Sequence, residues 1–421
     1  MKKYLCLLIC VFMVAGLFTA CTNEEAATTE TTEASSTEET VEEATEATTS
    51  ETELTGEFKI GIILPLTGSY AEHGVGQQTA YEMAIEEVNA SGGVNGKTLV
   101  AQFEDSGGDA VVSSELMRKY IEDPDIMMVF GDYDSGTCLA DAPIAQENQM
   151  PMLSPSASNA NVPLTGNYIF TMVGVQQDEQ RYVAQYAMQK YFGAENIGIV
   201  YLDNSWGTTL FENLSLGAEA CGLNMVITEP IAAGETDFSA VISKLRQSDI
   251  DTLFIGLQIS EGAAMVNQMV QTGYNEEVNV VLSGALYTNQ FIELTGENCE
   301  GLIITQPFFV SEDNEELYAW QEEYYSRCDL YPSMMTADAY DAIMMCAEAI
   351  NAAGAETRDE VRDAVSQISG YQGITGEITF DGIGTVHRTQ YLITIEDGKW
   401  KMLYDPSYAS DMEFYDFGIV Q

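Results

Sequence analysis

From residue 58 onward the chain alternates short runs of apolar, β-rich residues with longer stretches whose apolar positions recur every three to four residues. Runs at 59–66, 98–103, 126–131, 150–154 and 168–173 predict one group of strands, and runs at 196–202, 225–231, 252–257, 279–283 and 301–306 a second. Amphipathic stretches at 77–90, 111–121, 179–192, 238–247 and 261–272 lie between them and predict helices. Strands that are apolar throughout need cover on both faces, so the pattern predicts an α/β fold of parallel sheets with helices on either side.

The last third reads differently. Helical stretches at 314–328, 335–353 and 358–368 come before β-type runs at 376–380, 390–396 and 400–404. A chain that builds one α/β half, then another, and then adds late helices and strands is expected to weave between two lobes, and such crossings form a hinge. Length agrees, because the roughly 360 residues of the patterned region are more than one core usually serves.

The first residues follow another logic. Lys2 and Lys3 precede an apolar run over 4–17, and Phe18, Thr19, Ala20 and Cys21 follow it. A cationic start, a short apolar core and small residues are the parts of a secretory signal, and the run is short for a membrane span. With a cysteine where the mature chain would begin, residues 1–20 resemble the bacterial lipoprotein signal, although Phe18 stands where that signal usually has Leu. The resemblance implies a lipid on Cys21 and an extracytoplasmic chain anchored to the bacterial cell membrane. Residues 21–57 are mostly Thr, Glu, Ala and Ser, with no basic residue. Such a segment cannot bury a core and is expected to be a disordered, self-repelling acidic tether.

The whole chain of 421 residues carries a formal net charge of -50. Nucleic acid and anionic lipid headgroups would be repelled by it, so neither is an expected partner. Beyond the leader and Cys21, five cysteines remain, at 138, 221, 299, 328 and 346. An odd number without CxxC spacing gives neither a zinc ribbon nor a complete disulfide framework. Only two histidines occur, His73 and His387, which leaves zinc sites and histidine-based triads little support. Gly74, Gly76 and the following Gln-Gln-Thr approach a dinucleotide fingerprint but lack its third glycine. Asp132-Tyr133-Asp134 begins like a calcium loop without the later ligands. No cofactor or metal is therefore expected.

The polar loops that follow strands carry the remaining chemistry. Asp134-Ser135-Gly136-Thr137 comes after the strand near 129 and leads toward a helix expected near Cys138, so its amides and hydroxyls suit an anion. Ser154-Pro155-Ser156-Ala157-Ser158 follows the next strand in the same way. Ligands of open α/β sheets bind at such carboxyl ends. Tyr70, His73 and Trp206 lie in polar, Gly-flanked stretches after strands and are candidate walls for a cleft.

Six blocks carry a family resemblance: 59–68 (KIGIILPLTG), 88–96 (VNASGGVNG), 129–137 (VFGDYDSGT), 150–158 (MPMLSPSAS), 231–239 (IAAGETDFS) and 300–305 (EGLIIT). In that order they resemble the leucine/isoleucine/valine-binding protein family. The resemblance implies a type I periplasmic-binding-protein fold, with two Rossmann-like lobes, three hinge crossings and a ligand cleft. Block positions then place hinges near 172–178, 305–309 and 386–391. The first lobe takes 58–174 and 306–388, and the second takes 175–305 and 389–421.

What the resemblance implies about function is capture of a small polar solute, amino acid-like or a related carboxylate or amide, for an ATP-binding-cassette permease and its ATPase subunits. No chemistry on the ligand is implied. Ser135 and Ser158 match positions that hold an amino acid carboxylate, the position of Ser156 offers a carbonyl to the ammonium, and Ala157 lies between them. His73, Trp206 and Gln258 fall at positions that are often aromatic. Gly284 departs from the pattern most, because the family has there a Glu that neutralises the ligand ammonium. Asp134 or Glu261 is a candidate substitute; otherwise the ligand has no ammonium. Asp134 and Gly107 replace the two halves of a family disulfide. A sensory receptor for a membrane signalling protein, or an exported hydrolase on the same scaffold, is the alternative function.

Overall fold

The computed structural model describes residues 54–310, 314–388 and 390–404. The leader, Cys21 and the tether up to residue 53 lie outside the described residues. The first sheet contains β1 (Glu57–Leu64), β2 (Thr98–Asp105), β3 (Ile126–Phe130), β4 (Met152–Ser154) and β5 (Ile169–Thr171), all parallel in the order β2-β1-β3-β4-β5. Helices α1 (Ala71–Ala90), α2 (Ala110–Glu122) and α3 (Ser135–Glu147) connect the first four strands. Alternate residues of a strand face opposite sides. Ile60, Ile62 and Leu64 accordingly join Tyr81 and Ala84 of α1 in one core, while Ile63 joins Met117 and Tyr120 of α2 in another. Burial on both faces is why β1 reads as an unbroken apolar run.

A second α/β layer follows. Helix α4 (Gln176–Tyr182) continues as a π-helix over Val183–Phe192, and then come β6 (Asn196–Leu202), α5 (Ser205–Cys221), β7 (Asn224–Ile231), α6 (Ser239–Gln247), β8 (Thr252–Gly256), α7 (Ile259–Thr272), β9 (Asn279–Leu282), α8 (Asn289–Thr295) and β10 (Ile303–Gln306). The chain then returns to the first layer with α9 (Glu315–Cys328), α10 (Met334–Ala353) and α11 (Arg358–Ser366), whose Trp320, Ile343 and Val361 share the core of β1. A small hairpin, β11 (Tyr371–Gly373) and β12 (Gly376–Ile378), precedes β13 (Tyr391–Glu396) and β14 (Lys399–Tyr404). These last two strands extend the second sheet, whose order is β14-β13-β10-β9-β8-β6-β7. The chain therefore passes between layers three times, after β5, after β10 and before β13.

The fold is the expected α/β architecture, with corrections of detail. The sheets are not parallel throughout, because β13 pairs antiparallel with both β10 and β14. Residues 56 and 57, assigned to the tether by composition, are already fixed: Thr98 N–H donates to Gly56 O at 3.0 Å and Glu57 pairs with Thr98. Helix α1 begins at Ala71 rather than at residue 77. Its Gly74 is a packing residue, since a Cβ there would lie 2.2 Å from Pro65 O. The partial dinucleotide fingerprint is thus a close approach of helix to turn. Helix α5, rich in Ser, Thr and Gly, was not predicted; Asn204 starts it by accepting the Gly207 N–H at 2.8 Å.

Candidate functional site

The site begins where β3 ends. Gly131 has φ 114°, and a Cβ there would lie 2.1 Å from Ile63 O, so only glycine lets the chain turn out of the sheet at this point. The turn presents Tyr133 and Asp134 and starts α3 at Ser135, earlier than the Cys138 start expected. Asp134 caps its own helix, its Oδ2 accepting the Gly136 N–H at 2.7 Å, and it faces the Tyr70 hydroxyl. Desolvation raises the Asp134 carboxyl above its ordinary range, against those hydrogen bonds. The next loop is tied to this one by Ser154, whose hydroxyl donates to Asp132 O at 2.8 Å and accepts the Ala157 N–H at 3.0 Å. That junction holds Ser156 and Ser158 beside Ser135.

Across from these loops stands the second layer. Trp206 lies in the first turn of α5, not in a loop, and its carbonyl accepts from Gln176 Nε2 at 3.2 Å. Gln258 occupies the position before α7. Gly284 opens the short turn after β9, and Thr305 and Gln306 end β10. Gln306 Nε2 donates to Gly284 O at 2.5 Å, and a Cβ on residue 284 would lie 2.5 Å from that nitrogen. The Gly284 N–H in turn faces the carboxylate of Glu179 on α4 and favours its ionised form. Desolvation is the largest influence on Glu179 and pushes it up to about 7.

Between the two walls lies a cavity of about 60 Å³, room for on the order of five water-sized groups. Of the residues singled out from sequence, the cavity gathers Asp134, Ser135, Ser156, Ser158, Trp206 and Gln258, together with Gly284. Three others are placed elsewhere. Ala157 is buried among the core residues beneath β4. His73 lies in α1, not in a loop, and stacks at 4.7 Å and 11° on Tyr133, so the ring that reaches the cavity is Tyr133. Burial lowers the His73 imidazole to about 4, which leaves it neutral. Tyr70 packs on Tyr133 at 5.4 Å and points its hydroxyl at Asp134 and, at 3.5 Å, Asn204 Nδ2. Glu261, considered as an acid for the cleft, accepts the Gly234 N–H at 2.8 Å instead and is not part of the cavity.

The crossings close one end of the cavity. Arg388 fastens the third crossing to the first, with Nε donating to Met172 O at 3.3 Å and Nη2 to Asp338 Oδ1 at 2.7 Å. His387 beside it bonds Asp178 through Nδ1 at 2.6 Å and approaches Asp381 through Nε2 at 3.4 Å. These carboxylates, Asp178 first, raise the imidazole to about 10 and keep it cationic near neutrality. The two layers also touch directly, Asn159 Nδ2 donating to Thr209 Oγ1 at 2.8 Å.

A family model for periplasmic binding protein matches residues 57–399. The chain belongs to this family. Among curated relatives, a Leu/Ile/Val-binding protein homolog 1 of Brucella abortus is 24% identical over 352 residues, covering 83% of this chain and 92% of that one. A leucine-, isoleucine-, valine-, threonine- and alanine-binding protein of Pseudomonas aeruginosa is 23% identical over 336 residues, with 80% and 88% covered. Among solved structures, a leucine-binding protein of Thermotoga maritima aligns with a TM-score of 0.75 at 22% identity over 82% of this chain and 97% of that one. A solute-binding protein from R. palustris, solved with benzoate, aligns at 0.74 and 18% identity over 83% and 96%.

For this periplasmic binding protein, sequence reasoning missed the residues that long-range folding brings in: Tyr133, Asp178, Glu179, Thr305, Arg388 and Gln390. Most sit at or beside the three crossings. The available signal was an acid pair, Asp178 and Glu179, at the start of the helix that follows the first crossing.

Proposed function

We propose that this protein is the extracytoplasmic solute receptor of an ATP-binding-cassette importer, capturing a small polar solute between its two lobes. What carries the reading is a cavity lined by both layers, with Ser135 and Ser158 on one wall and Trp206, Gln258 and Glu179 on the other. A solute there makes its full set of contacts only when both walls are near, so binding favours the closed form that permease and ATPase partners would recognise. The crossings at 172–178, 305–309 and 386–391 serve as the hinge. Neither histidine is placed in the cavity as a neutral base, because His73 lies behind Tyr133 and His387 is held as a cation. Membership of a family of solute-binding proteins supports the same reading.

A thermal-shift screen of small amino acids, amides, amines and carboxylates tests it, since a solute that binds only the folded chain raises its melting temperature. The expected result is a shift with one solute class and recovery of that solute unchanged. Turnover of the solute, or no shift with any class, would overturn the reading. A lipid on Cys21 would tether the receptor and raise its concentration near the permease. Cys21→Ser is expected to move the protein from the membrane to the soluble fraction, and equal membrane retention would remove the anchor.

A further inference from the structure

The charged groups around the cavity are not equivalent. Asp178 is engaged by the His387 imidazole at 2.6 Å, and Arg388 by Asp338 at 2.7 Å. Asp134 is committed to its own helix through the Gly136 N–H. Glu179 differs from all of these, because it faces the Gly284 N–H and, among the described residues, has no cation beside it. A desolvated carboxylate without a counter-charge is costly to keep ionised.

The polar atoms on the same wall point the same way. Thr305 Oγ1 and Gln390 Oε1, on residues 1% and 3% exposed, and Gln258 Oε1 are buried without a hydrogen-bond partner. All three residues line the cavity with Glu179. Buried oxygens of this kind are ordinarily satisfied. Two amide oxygens that can only accept and a hydroxyl that can accept, set around a carboxylate with no counter-charge, are complementary to a positively charged group carrying several N–H donors.

The opposite wall does not add the usual attraction for an anion. The first turn of α3 offers N–H groups, but Asp134 already takes the Gly136 N–H at 2.7 Å and places a carboxylate at that helix end. A ligand carboxylate arriving there meets a like charge.

On the reading of the protein as a solute receptor, we propose that its cleft selects a protonated nitrogen head group, with Glu179 as counter-charge, and does not require a carboxylate on the ligand. Gly284 then has a positive role. It leaves room for Glu179 and Gln306 to meet its backbone from either side, so the acid missing from position 284 is supplied by α4. The small cavity limits the head group to a few heavy atoms.

Four probes on one carbon skeleton separate the alternatives: propylammonium, alanine, propionamide and propionate. Thermal shift and calorimetry are expected to find binding of propylammonium and alanine, and none of propionate. Glu179→Gln is expected to weaken propylammonium binding about a hundredfold. Affinity should rise about fivefold to tenfold from pH 6 to pH 8 as Glu179 ionises, because the amine stays charged over that range. The other charged groups facing the cavity are Asp134, Asp178 and Arg388, with His387 behind Asp178. A flat pH profile in Glu179→Gln assigns the titration to Glu179. Propionate or propionamide binding in the cleft while propylammonium fails, or an unchanged propylammonium affinity in Glu179→Gln, overturns the inference and leaves the receptor reading standing. Silence across all four probes overturns the inference, and silence across the wider screen overturns the receptor reading as well.

Discussion

The two walls of the cleft solve opposite problems. The first-layer wall is closed upon itself: Asp134 caps α3, Ser154 ties its two loops together, and His73 and Tyr70 brace Tyr133. Its loops are held to one another, although His73 Nε2 and Asp132 Oδ2 are buried without a hydrogen-bond partner. The second-layer wall is open, with Glu179 desolvated and Gln258 Oε1 and Thr305 Oγ1 unpartnered. Gln390 Oε1, at the third crossing, belongs with them. A wall whose loops are tied together supplies shape, whereas one that turns unpaired polar groups toward the cavity supplies selectivity, because such groups disfavour every ligand that cannot pair them.

After Glu179 itself, the contrast can be broken most sharply at Gly284. Gly284→Ala places a Cβ where the Gln306 amide now sits and displaces a buried hydrogen bond, a cost of about 1 kcal/mol or more. Propylammonium affinity measured by calorimetry is expected to fall about tenfold in this variant. An unchanged affinity would mean that the second wall is not organised around the 284 amide. A smaller effect is expected on the other side. Ser135→Ala with Ser158→Ala should weaken alanine binding about fivefold, corresponding to about 1 kcal/mol. A loss larger than that of Gly284→Ala would reverse the ranking of the two walls.

Much of the first wall was legible in sequence because it is local. Ser135, Ser156 and Ser158 follow strands that announce themselves as continuous apolar runs, and loops after such strands are where α/β folds place ligands. Local reading also misjudged geometry at two aromatic positions. His73 reads as a loop residue, yet Gly74 lets α1 lie against the 65–66 turn and start before it, and this puts His73 in a helix behind Tyr133. Trp206 was read as part of a loop because the Ser, Thr and Gly content of α5 hides a helix that Asn204 caps.

The second wall was hard to read because its parts are far apart in the chain. The absence of an acid at 284 was visible, and Asp134 and Glu261 were the near candidates. Glu261 instead holds the Gly234 amide at 2.8 Å, and Asp134 serves its helix. Glu179 reaches Gly284 only because α4 starts where the first crossing enters the second layer and β9 ends beside it. Nothing in the spacing of residues 179 and 284 encodes that meeting.

Sequence by itself determined the class of fold, the order of its strands along the chain, the family and the serine-bearing loops, because hydrophobic period and turn chemistry are properties of neighbouring residues. Tertiary structure decided that the late strands β13 and β14 pair antiparallel on the second sheet and that Arg388 locks two crossings together. It also decided which acid faces the cavity without a counter-charge among the described residues. Desolvation and pairing of a carboxylate depend on everything folded around it, and no single stretch of chain contains that information.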